Sequence, residues 1–71
     1  MPELRAGDLV KWDPNTDYMT WLRVTKPIRY KNILERIGLV MEDSYGMQVQ
    51  VWWSGIQDTQ FMDFNEVRVI R

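Results

Sequence analysis

Residues 25–38 read TKPIRYKNILERIG, and whether they fold as helix or as connection decides the class of this chain. Tyr30, Ile33, Leu34 and Ile37 fall at i, i+3, i+4 and i+7, the spacing that gathers side chains on one face of an α-helix. Thr25 stands where a cap would start such a helix and Gly38 where glycine would stop it. A helix of about two turns is marginal on propensity alone, because nucleation fixes several residues for one hydrogen bond. The segment is therefore read as a long basic connection over about 25–37, holding at most one short helix, whose apolar residues fold back on a sheet.

The strand signals are stronger. Turn clusters at Asp13–Asp17 (DPNTD), Asp43–Gly46 (DSYG), Ser54–Asp58 (SGIQD) and Asp63–Glu66 (DFNE) cut the chain into short pieces. Gly7–Trp12 sets Val10 and Trp12 on one face and Leu9 and Lys11 on the other. Met19–Thr25 (MTWLRVT) is a second candidate strand with a less clean alternation. Ile37–Asp43 is apolar on both faces, as a strand covered on two sides would be. Met47–Trp53 places Met47, Val49, Val51 and Trp53 inside and leaves Trp52 with Gln48 and Gln50 on the other face. TQFMDF and VRVI complete the set. A turn about every ten residues is the rhythm of all-β folds, and 71 residues are too few for a seven-stranded sandwich. The expected fold is all-β, a single small barrel over residues 1–71 with five or six strands, closed so that no edge is left exposed.

The chain has no cysteine and no histidine, which removes disulfides and the usual Zn²⁺ and Cu²⁺ ligands. A domain of this size buries only about 60% of its unfolded surface, so its aromatics must contribute much of the stability. No run approaches the roughly 18 apolar residues of a membrane span, and MPELRAGD lacks the regions of a signal peptide. The expectation is a soluble, unprocessed protein with no membrane partner.

Net charge is −1, but the charges are sorted along the chain. Arg23, Lys26, Arg29, Lys31 and Arg36 face one anion, Glu35, between Tyr18 and Arg36. From Gly38 to Glu66 the acids Glu42, Asp43, Asp58, Asp63 and Glu66 face no Lys or Arg. On a barrel surface the two sets would meet as ion pairs, each worth about 0–1 kcal/mol. Left unpaired, they suit copies of the same chain or a partner of mixed charge.

The segments GDLVKW, GLVMED, VQVWWSG and FNEVRVI, in that order, resemble the small SH3-like barrels, a group that includes Tudor-like and KOW-type modules and short uncharacterised proteins of tailed phages. The likeness covers Gly7–Trp12 and Gly38–Ile70. The basic middle, Tyr18–Arg36, matches no pattern of the group. No aromatic cage of the Tudor type can be placed, and the ALYDY-type opening of peptide-binding SH3 domains is missing. The resemblance implies fold more than activity.

Four glycines form no phosphate-cradling motif, and the carboxylate pairs Glu42 with Asp43 and Asp63 with Glu66 lie beside turns, where such residues are solvated turn formers far more often than acid/base pairs. The chain is read as no enzyme, with no cofactor and no metal site. Trp, Tyr, Met and Arg are residues that interfaces favour, and four Trp with five Met exceed the needs of one tiny core. The expected function is a non-enzymatic protein-interaction module. Its anchors are Trp52, Trp21 and Tyr30, and Arg23, Arg29 and Lys31 meet acidic patches on a protein partner or on copies of the chain. Through the resemblance this implies a small phage structural or assembly protein, of capsid cement, decoration or adaptor type, located in the virion or the host cytoplasm. A nucleic-acid-binding module of KOW type, using the basic segment 23–31, stands second.

Overall fold

In the computed structural model, which describes residues 4–42 and 47–70, the chain turns after Asp13 and enters a helix. Asp13 Oδ1 accepts the Asn15 N–H at 2.9 Å, and Thr16 Oγ1, the N-cap of α1 (Asp17–Thr25), accepts the Met19 N–H at 3.2 Å. Asp17 in the first turn and Arg23 in the last complement the helix dipole. Lys26 ends α1 and opens α2 (Pro27–Glu35), whose first turn holds Pro27, where the missing N–H has no intrahelical role.

Two expectations are reversed here. MTWLRVT is helix, not strand, and most of 25–37 is helix, not connection. Each helix is nine residues long and would be marginal in isolation. Packing holds them: Met19 and Leu22 of α1 and Ile33 of α2 are buried in the common core, and Tyr30 and Leu34 pack against it. Thr25 is not a cap, since its hydroxyl donates to Trp21 O at 2.8 Å within α1. Glu35 ends α2 before Gly38, and Ile37 lies beyond the helix with its side chain exposed.

Five strands follow or precede the helices: β1 (Leu9–Trp12), β2 (Gly38–Val40), β3 (Gln48–Trp53), β4 (Asp58–Asp63) and β5 (Val67–Val69), with a 3₁₀ turn at Phe64–Glu66 before β5. They pair antiparallel in the order β4-β3-β2-β1-β5, so β4 and β5 remain as edges of an open, curled sheet. The fold is mixed α+β, and the expected all-β closed barrel is corrected on both counts. The resemblance to SH3-like barrels falls with it, because two packed helices occupy the unmatched middle and the half-barrel does not close; the phage association had no other support. The DSYG turn lies outside the described residues. DFNE forms the 3₁₀ turn as a capping box: the Asp63 side chain accepts from the Glu66 N–H, and Glu66 Oε1 accepts the Asp63 N–H at 3.0 Å.

The core lies between the inner sheet face and the helices. Val10, Trp12, Val40, Val49, Val51, Trp53, Met62 and Val67 supply the sheet side. Gly38 pairs with Trp53 across β2 and β3, and a Cβ at Gly38 would overlap Val51 Cγ1 and stand 2.9 Å from the Trp53 ring. Gly38→Ala is expected to lower stability by about 1–3 kcal/mol through overpacking, read as a lower urea midpoint at unchanged slope.

Candidate interaction surfaces

Two surfaces present large apolar side chains, and they lie on opposite sides of the sheet. The first is reached from the core along a chain of rings. Trp53, fully buried, stacks on Trp12 at 5.7 Å between centroids; Trp12 meets Tyr18 at 6.1 Å, and Tyr18 stacks on Trp21 at 6.2 Å. Exposure rises along the series until Trp21 is 53% exposed on α1. Val24 and Ile28 continue the exposed apolar residues round the corner between α1 and α2. Arg23, Lys26 and Arg29 are interleaved with them.

The second is the outer face of the sheet. Register places Leu9 opposite Leu39, Leu39 opposite Trp52 and Trp52 opposite Thr59. Ile70 continues β5 beside Leu9, its N–H bonded to Leu9 O at 2.9 Å. One row, Ile70–Leu9–Leu39–Trp52–Thr59, therefore crosses all five strands. Met41 and Phe61 flank it, both exposed. No helix covers this row, since α1 and α2 share the core of the other face. At the β1–β5 end, Lys11 and Arg68 stand directly opposite each other, a like-charged pair.

The expected site residues do not form one site. Trp52 is half-buried on the outer face. Trp21, with Arg23, belongs to α1, and Arg29, Tyr30 and Lys31 belong to α2. Tyr30 is partly buried against the core, whereas Arg23, Arg29 and Lys31 are exposed. The expected ion pairing does not occur: among the described residues no carboxylate pairs with Arg23, Lys26, Arg29, Lys31 or Arg36. Arg36 lies instead against Gly55, where a Cβ would stand 2.6 Å from its Nε. Leu9, Leu39 and Ile70 were not singled out in the sequence. The available signal was Ile37–Met41, apolar on both faces. Gln48 and Gln50 pointed the other way, and Gln50 Nε2 donates to Thr59 Oγ1 at 3.3 Å on this same face.

Among the described residues no helix is long and apolar enough to cross a membrane, and no cluster of three acidic residues is arranged to hold a metal ion. Asp63 and Glu66 are engaged with backbone N–H groups. Neither family models nor curated proteins nor solved structures give a match to the chain.

The two adjacent tryptophans separate cleanly by burial. Trp53→Ala removes a buried indole and is expected to cost about 3–5 kcal/mol, enough to unfold a domain of this size. Trp52 is half-buried, and Trp52→Ser is expected to cost about 1–2 kcal/mol, less than Trp53→Ala and with the fold retained. Urea titration followed by far-UV circular dichroism measures both.

Proposed function

We propose that the chain is a non-enzymatic protein-binding domain whose contact surface is the outer face of its sheet. The observation that carries this reading is the uncovered row Ile70–Leu9–Leu39–Trp52, flanked by Met41 and Phe61. Monomeric proteins rarely leave a contiguous apolar patch larger than a few hundred Å² without a use for it. Burial of such a patch supplies about 25 cal/mol per Å², and a Trp near its centre is the residue type that dominates interface energetics. Lys11 and Arg68 repel each other in the free chain, so a partner carboxylate placed between them relieves that repulsion and orients the contact. The partner surface is therefore apolar with an acidic margin.

The helix corner supports a second contact, in which exposed Trp21, Val24 and Ile28 are interleaved with cations. Its unpaired cations are the feature a nucleic acid would use, with Trp21 as a stacking surface. Binding to oligonucleotides at about 50 mM salt, with affinity falling as salt rises, separates this alternative from the sheet-face reading.

The test is capture by the tagged chain from cells that naturally express it. Parent protein is expected to retain a partner that Leu39→Glu and Trp52→Ser lose, while Trp21→Ser retains it. All three variants should keep the parent circular dichroism spectrum. Retention of the same partner by Leu39→Glu would overturn the assignment of the surface.

A further inference from the structure

The free edge of β4 has a definite hydrogen-bonding state. Phe64 N–H bonds to Met47 O at 3.2 Å, and in an antiparallel ladder the bonded pairs recur at every second residue. Met62, Gln60 and Asp58 thus direct their backbone groups to β3. Asp63, Phe61 and Thr59 direct theirs outward. Two of these three outward N–H groups are occupied by the chain's own carboxylates: Thr59 N–H donates to Asp58 Oδ1 at 2.8 Å, and Asp63 N–H donates to Glu66 Oε1 at 3.0 Å. Phe61 lies between them, its N–H without an acceptor among the described residues and its side chain 70% exposed.

This arrangement disfavours a second copy as the occupant. Outward-facing residues can bond only to outward-facing residues, and the two-fold pairing of β4 with itself that engages all three of them centres on Phe61. It sets Asp63 of each copy opposite Thr59 of the other, one residue from the other's Asp58, so that each end of the ribbon gathers two carboxylates, one on either face. A strand with cations at those positions meets the opposite situation. Its Lys or Arg side chains draw the Asp58 and Glu66 carboxylates off the Thr59 and Asp63 N–H groups, and the ladder can then extend.

We propose that the β4 edge accepts an extended segment of a protein partner as a sixth, antiparallel strand, selected by basic residues opposite Asp58 and Asp63 that displace the carboxylates guarding the edge. The proposal rests on the reading of the chain as a protein-binding domain and names the form and charge of the partner segment. With an apolar residue opposite Phe61, the cations fall two residues before it and three residues after it.

The probe is a capped hexapeptide, Lys-Thr-Val-Thr-Val-Lys, titrated into the isotope-labelled chain and compared with Glu-Thr-Val-Thr-Val-Glu. The amide signals of Thr59, Phe61 and Asp63 are expected to shift with the basic peptide, and exchange of the Phe61 amide is expected to slow. The acidic peptide should bind at least about tenfold more weakly, because like charges then face each other. Asp58→Asn combined with Glu66→Gln should narrow that difference by at least about threefold, because two of the charges that discriminate are gone while Asp63 remains. Equal binding of the two peptides, shifts confined to the Leu39 and Trp52 face, or no shift at all would each overturn the proposal. If the edge amides stay unmoved while Leu39→Glu still releases the captured partner, the edge inference fails and the protein-binding reading stands.

Discussion

The Trp53 ring joins elements that cannot stand alone. It packs over Gly38 of β2, stacks on Trp12 of β1, and through Trp12 reaches Tyr18 of α1. β2 is three residues long and α1 nine, so neither has enough local interaction to persist without this contact. The arrangement has a cost: the indole N–H groups of Trp12 and Trp53 are both buried without an acceptor among the described residues. Each orphaned donor costs about 1–3 kcal/mol. Burying an indole of about 150–250 Å² returns about 4–6 kcal/mol at 25 cal/mol per Å². Burial wins, and a glycine at 38 is what allows the ring to come close enough.

The strands were readable because their signal is local. Val49, Val51 and Trp53 alternate with Gln48, Gln50 and Trp52, and a period of two settles which of the two tryptophans enters the core without knowledge of any neighbour. The helices were misread for a physical reason. Over the seven residues MTWLRVT, Trp21 and Arg23 oppose Leu22 and Val24 well enough to imitate a strand. The true core residues, Met19 and Leu22, are spaced by three. Thr16 before Asp17 and Pro27 after Lys26 were the boundary marks, but a nine-residue helix is decided by what it packs against. The likeness to closed barrels rested on strand segments and left Tyr18–Arg36 unmatched. That segment holds both helices.

The outer face was not legible, because it belongs to no single stretch of sequence. Leu9, Leu39, Trp52 and Ile70 come from four strands and meet only through register. Along β3 alone, Trp52 sits between glutamines and looks like one apolar residue on a polar surface. Across the sheet it is one member of an apolar row. Ile37–Met41 carried the single hint, since a strand apolar on both faces needs something on each side. The helices and the inner sheet cover one side, and nothing in the described chain covers the other. Arg23, Arg29 and Lys31 join Trp52 in the expected site because they are the cations of the basic segment, but they ride on helices that pack against the opposite face.

An open sheet carries a risk that closure would have removed, since the six-residue β4 forms one of its edges with Thr59, Phe61 and Asp63 facing outward. The chain manages that edge with carboxylates at its two ends. Asp58 Oδ1 accepts the Thr59 N–H, and Glu66 Oε1, through the capping box, accepts the Asp63 N–H. Between them Phe61, its ring 70% exposed, keeps one bare hydrogen-bonding pair. Steric cover, a proline or a bulge would shut such an edge to every strand alike. Carboxylates shut it selectively: they repel a copy that carries the same acids and yield to a strand that brings cations. The edge of β4 is protected by charge, and protection of that kind discriminates between partners.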